Sequence, residues 1–315
     1  MAAPKIRFGV QTAPQNCTWE DLARAWEELD TLGFDTAWTF DHYVPIFSDP
    51  SGPCLEGWLT LAALAARTKK LRLGTLVTGV TYRNPAHLAK LGATLDHISN
   101  GRLEFGIGGA WFEPEHDAYN FPFPPVGERL DMLDEALHII RQMWTEKAPS
   151  FQGRHYSIRE ARCEPKPVQK PHPPILVGGG GEKKTLRLVA RHAQMWNAFG
   201  SAEVFERKIG ILADHCKKEG TDVDAIEKSV LIPVTVTDDP EAANRLVRGI
   251  SGSMGLSEEQ ARAQVLAGNP DEVEAQVRRY LKAGVTHFIA MTFAPFDRQM
   301  VGLRRFAKEV IPRFR

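Results

Sequence analysis

Eight times in succession a short apolar run is followed by a stretch of helical period, and this alternation constrains the fold more than any other feature of the chain. "IRFGVQT" (6–12) precedes "TWEDLARAWEELDTLG" (18–33), where Trp19, Leu22, Trp26 and Leu29 recur at three- and four-residue spacing, with Thr18 as the expected N-cap and Gly33 as the expected C-cap. The same pairing recurs at 36–40 with 58–69, 71–79 with 85–101, 103–109 with 127–144, 175–180 with 182–192 and 195–200 with 202–220. The run at 228–238 precedes a helical stretch from Pro240, and 286–293 with 297–311 completes the count. Strands this apolar are buried on both faces, which favours a closed parallel barrel over an open doubly wound sheet. The expected fold is therefore a (β/α)8 TIM barrel in one domain spanning 1–315, with insertions at 109–126 after strand four, 146–174 before strand five and 250–269 before strand eight. The Pro-rich "EPKPVQKPHPP" (164–174) reads as an extended connector on the outside of the barrel.

Charge narrows the partners. The 39 basic and 39 acidic residues cancel, so nothing draws the chain to nucleic acid or to an anionic membrane surface, and a small molecule is the expected partner. "MAAPKIRFGVQT" has no apolar stretch of signal-peptide length, and no later run reaches the roughly 18 apolar residues of a membrane span. A cytoplasmic protein is expected. Cys17, Cys54, Cys163 and Cys216 form no CxxC pair and are expected to be reduced and packed. The ten histidines supply no His-x-His pair, so metal catalysis is not expected.

Barrel enzymes hold their chemistry at the C-terminal ends of the strands. Strand two ends in Asp41-His42, either a turn cap or a functional pair. Strand five ends in "GGGGEKKT" (178–185), which is either a tight turn or a phosphate site, because glycines let backbone N–H groups approach an anion at a helix N-terminus. Strand four opens into "LEFGIGGAWFEPEHDAYNFPFPP" (103–125), where glycine, tryptophan, paired glutamates, a histidine and four prolines replace the core residues.

Together "AWTFDHY", "LGTLVTGVTYRNPAHLAK", "GRLEFGIGGAWFEPEHDAYNFPFPPVGERLDMLDEAL" and "PPILVGGGGEKKTLRLVARHAQMWNAF" resemble the luciferase-like oxidoreductases, and more narrowly their branch that uses the deazaflavin coenzyme F-420. The resemblance is dense over 5–200 and loose in the C-terminal third. It implies that a flavin or deazaflavin binds at the strand C-termini, with Asp41 and His42 near its reactive face. It also implies a non-proline cis bond between Leu76 and Val77, forming a bulge behind the ring, and a phosphate-binding turn at Gly178, Gly179, Gly180 and Gly181. Trp196 and Asn197 match positions beside the cleft, although an ordinary core tryptophan fits Trp196 as well. Gly108 and Gly109 would leave room for the cofactor, and 110–125 would form the pocket wall, stiffened by Pro114, Pro122, Pro124 and Pro125. Within that wall Trp111 would stack on cofactor or substrate, Glu113 and Glu115 would accept a proton or belong to a solvated loop, and Tyr119 would donate a hydrogen bond.

The expected activity is hydride transfer between F-420 and a small organic substrate, with His42 as the acid, Asp41 orienting it and Glu113 as a further catalytic candidate. The alternatives are an FMN-dependent monooxygenase on the same scaffold and a cofactor-binding barrel without catalysis. Sugar-phosphate dehydrogenases of this branch carry an acidic residue where Trp111 falls here, which counts against glucose 6-phosphate as substrate. A homodimer is expected.

Overall fold

The computed structural model describes residues 5–292 and 296–315. Eight barrel strands appear in the expected places: Arg7–Gln11, Thr36–Thr39, Arg72–Thr75, Phe105–Gly108, Ile175–Gly178, Met195–Ala198, Glu227–Val236 and His287–Met291. The third is bent and continues as Thr78–Gly79. Its first half pairs with strand two and its second half with strand four, while strand eight pairs with strands seven and one, so parallel pairing runs round the whole ring. The bridge between Leu73 and Leu103 seals the ring at the bend.

Two apolar layers follow from the two faces of each strand. Trp38, Leu76, Leu176, Met195, Leu231 and Ile289 fill the interior. The alternate residues, among them Phe8, Ile107, Val177, Trp196 and Phe288, pack outward against the helices. An ionic network lies among the strand-start residues. Arg7 contacts both carboxylate oxygens of Glu227 at 3.0 Å and Glu104 at 2.7 Å; Arg72 also reaches Glu104 at 2.6 Å, and His287 bridges Glu227 (2.7 Å) and Thr36 (2.9 Å).

The first helix begins as expected, with Thr18 and Asp21 forming a capping box, but it ends at Leu29 rather than at Gly33. Asp30 is the C-cap there, and its carboxylate accepts the N–H groups of Lys69 (3.0 Å), Lys70 and Leu71 (both 2.8 Å). A tertiary contact thus stops the helix before the glycine does. Segment 109–126 holds a short helix, Glu113–Tyr119, ended by the left-handed Asn120. Segment 146–174 carries a two-stranded hairpin, Phe151–Gln152 with Ser157–Ile158, and then runs irregularly along the helix Pro85–Ile98, held by Gln169 on Asp96. In 250–269 the strand Leu266–Gly268 pairs with the far half of strand seven, over its own cluster of Ala243, Val247, Ile250, Ala261, Val265 and Ala267. Among the described residues no helix is long and apolar enough to cross a membrane, and no cluster of three or more His, Cys, Asp or Glu is placed to hold a metal. All four cysteines are free thiols; Cys163 and Cys216 are buried, Cys17 and Cys54 partly so.

Candidate active site

Strand two delivers Asp41 and His42 to the C-terminal rim, and there the two side chains part. His42 Nδ1 lies 2.6 Å from Glu115 Oε1. Glu115, fully buried on the short helix, also accepts the Tyr43 N–H at 2.8 Å and the Tyr82 hydroxyl. Burial pushes the Glu115 carboxyl up, but the hydrogen bonds from His42, Tyr43 and Tyr82 outweigh it and hold it below the ordinary carboxylate range. An ionised carboxylate only accepts, so the Nδ1 of His42 carries the hydrogen and Nε2 is the ring nitrogen open to a ligand. Among the described residues Nε2 has no partner. Burial pushes Tyr82 well above its ordinary value, with Glu115 adding to the effect, so its hydroxyl remains a donor.

Asp41 does not orient His42, contrary to the sequence reading. Arg83 grips it with both nitrogens, at 2.5 and 3.1 Å, and the Thr78 hydroxyl also bonds to it. Arg83 spans from there to Glu56, the N-cap of the helix Gly57–Arg67. Burial lowers the Arg83 guanidinium, but Asp41 raises it more, so the cation is kept; burial raises Asp41 against the opposing pull of Arg83 and Thr78. Asp41 ties strand two to the end of strand three. Glu113, the glutamate favoured as catalytic, is solvent-exposed at the start of the short helix. Helical geometry explains the exchange, because residues two apart face different ways: only Glu115 turns inward. Tyr119 lies against Tyr43 and Phe121, not at His42.

The bond between Leu76 and Val77 is cis, as the resemblance implied. Gln11 donates to the Leu76 carbonyl at 2.9 Å. A Cβ at Gly108 or at Gly178 would sit 2.9 Å from the Val77 methyl groups, so these two glycines make room for Val77 rather than for a ligand directly. Gly79, Gly108, Gly178 and Asn197 stand in register across strands three to six. Beside them a Cβ on Gly109 would meet Leu130 at 3.2 Å, and the Gly109 carbonyl accepts from Arg129 at 2.8 Å.

In the glycine turn, Gly179 has φ +125°, which requires glycine, and donates to the Asn197 carbonyl at 2.9 Å. The N–H groups of Gly180 and Gly181 have no acceptor among the described residues. The helix Thr185–His192 begins just beyond, without a side-chain cap. Lys208 brings its ammonium to the Gly180 carbonyl, and burial lowers its pKa. Trp196 is not a cleft residue: Met195 and Asn197 take the inward positions, and the buried Trp196 indole packs on Phe205 and donates to the Gly179 carbonyl at 2.8 Å. It supports the turn from behind.

Three aromatic edges enclose His42: Phe40, Trp111 and Phe112, with ring centroids at 5.0, 5.7 and 5.8 Å. Trp111 also stacks on Phe47 at 5.8 Å. Arg83, Tyr82, Phe47 and Lys208 escaped the sequence reading. Arg83 and Tyr82 carried a signal, since both fall directly after strand three, whereas Lys208 sits mid-helix like any surface lysine.

A profile of the luciferase-like monooxygenases matches residues 4–289, and the chain belongs to that family. An F-420-dependent glucose-6-phosphate dehydrogenase of Amycolatopsis mediterranei is 26% identical, over 98% of this chain and 99% of that one. A protein of the same name from Intrasporangium calvum is 29% identical, over 98% and 99%. An F-420-dependent secondary alcohol dehydrogenase, solved with an F-420–acetone adduct, superposes with a TM-score of 0.88 at 22% identity, over 99% of this chain and 100% of that one. This last likeness speaks for the fold.

Proposed function

We propose that this protein is an F-420-dependent oxidoreductase that moves a hydride between the deazaflavin and a carbonyl or alcohol carbon, with His42 moving the accompanying proton. The observation that carries the reading is the Glu115–His42 pair, which fixes one imidazole nitrogen and leaves the other open. Relatives named for F-420 chemistry along the whole chain support the choice of cofactor.

The rim fits such a cofactor. The free N–H groups of Gly180 and Gly181, with the Lys208 ammonium beside them, form a donor set suited to a phosphate. When bound, a deazaflavin supplies or takes up two electrons as a hydride at carbon. With Nδ1–H held on Glu115, the neutral His42 presents Nε2 as a base that takes the hydroxyl proton of an alcohol. The protonated ring presents Nε2–H as an acid that delivers a proton to a carbonyl oxygen. The Asp41–Arg83–Glu56 chain fixes the backbone on which His42 stands.

Absorbance of F-420 in the presence of a secondary alcohol or a ketone tests the assignment. Turnover by the wild type, lost in His42→Ala while F-420 still binds, is the expected result. Oxygen consumption with reduced FMN and no F-420 turnover would replace this reading with a monooxygenase.

A further inference from the structure

Phe47 and Trp111 are large apolar side chains held in water. Phe47 is 74% exposed and Trp111 54%, yet their rings stack at an interplanar angle of 20°. They come from separate segments, one after strand two and one after strand four, and each approach uses a left-handed residue, Phe47 itself at φ 59° and Ala110 at φ 57°. A bulky residue at positive φ is uncommon and persists only where its surroundings hold it. The inner edge of Trp111 reaches His42, so this apolar surface is continuous with the open imidazole.

Charge is engaged elsewhere. Arg83 is spent on Asp41 and Glu56. Arg129 donates to the carbonyls of Gly109 and Pro124 and lies 3.7 Å from the Phe123 ring centroid. Among the described residues no cation contacts His42, Trp111 or Phe47, and the exposed carboxylate nearest in sequence to Trp111 is Glu113. A phosphorylated sugar would find no counter-charge there, whereas an uncharged apolar ring would find the outward surface of the Phe47–Trp111 stack.

We propose that the substrate is an uncharged cyclic alcohol or ketone whose ring lies against Trp111 and Phe47 while its oxygen meets Nε2 of His42. The proposal rests on the oxidoreductase reading and specifies what that reading leaves open.

The test uses protein loaded with F-420, the loading being checked by its own titration. Binding of cyclohexanone, acetone and glucose 6-phosphate is followed by saturation-transfer NMR, and turnover of cyclohexanol and 2-propanol by F-420 absorbance. Cyclohexanone should bind at least about tenfold more tightly than acetone. That ratio should fall toward one in Trp111→Ala and in Phe47→Ala, and Trp111→Phe should recover part of it. Both side chains are at the surface, so the variants should fold, as circular dichroism will check. Three results would each overturn the proposal with the F-420 reading intact: equal affinity for ring and acetone, an unchanged ratio in both variants, or saturable binding of glucose 6-phosphate. A change of oligomeric state in the variants without change in ligand binding would make the patch a protein interface, and would overturn it too. Failure to bind F-420 at all would instead remove the reading beneath it.

Discussion

Glu115 and His42, 73 positions apart in the chain, share one hydrogen bond of 2.6 Å at the mouth of the barrel. Strand two brings the imidazole and the wall after strand four brings the carboxylate, so the pair exists only when that wall has folded onto the rim.

Replacing the carboxylate tests that coupling. Glu115→Gln keeps the shape but can donate to Nδ1, which releases the tautomer, and turnover should fall by about 10²-fold or more. F-420 affinity should stay within a few-fold, and the pH–rate profile should move with kcat. An unchanged profile would confine Glu115 to packing.

Asp41 answers differently. Asp41→Asn removes one partner of the buried Arg83 pair and should destabilise the protein by about 3 kcal/mol. The urea midpoint should fall accordingly. A midpoint equal to that of the wild type would mean that the pair contributes nothing.

The ionic network at the strand starts sets a pH dependence. Burial pushes the Glu227 carboxyl up, but His287 and Arg7 pull it further down, to about 2. A depressed carboxylate contributes stability that is fully present above its unfolded value of about 4.3 and is lost as pH falls toward 2, here on the order of 3 kcal/mol. Glu227→Gln should flatten the stability curve across that window while leaving the rest of its shape. Parallel curves for the two proteins over the same window would contradict this.

The glycine turn gives a test of its own. A Cβ on Gly180 would lie 2.6 Å from Lys208 Nζ, so the carboxylate of Gly180→Asp would pair with that ammonium and occupy the anion's place. F-420 affinity should fall at least about tenfold, roughly 1.4 kcal/mol, and Lys208→Met should weaken it less while reducing its salt dependence. Equal affinities in wild type and Gly180→Asp would leave the four glycines as a turn only.

Period and position made the barrel readable. Apolar runs of strand length show in sequence because both faces of a barrel strand are buried, and the cis bond between Leu76 and Val77 followed from the family resemblance. Contacts between distant segments did not show. Asp41 and His42 are neighbours in the chain, yet one belongs to Arg83 and the other to Glu115, and no local pattern reports that. Glu113 and Glu115 differ in which side of a seven-residue helix they occupy, and so short a stretch carries no readable period. Trp196 faces the helices because strand alternation runs from Met195, which points into the barrel, and the family match carries no sign of that phase. The space beside Gly108, which in sequence looks reserved for a ligand, is filled by Val77 from the neighbouring strand. The strand Leu266–Gly268 is three residues long and is defined by pairing alone.

Equilibrium titration of the purified protein with F-420 and, separately, with FMN tests the cofactor assignment most directly, read by the fluorescence of each ligand. Saturable binding of F-420 with a dissociation constant on the order of micromolar or below, and no saturable binding of FMN in the same range, is the expected result. Saturable binding of FMN with none of F-420 would contradict it.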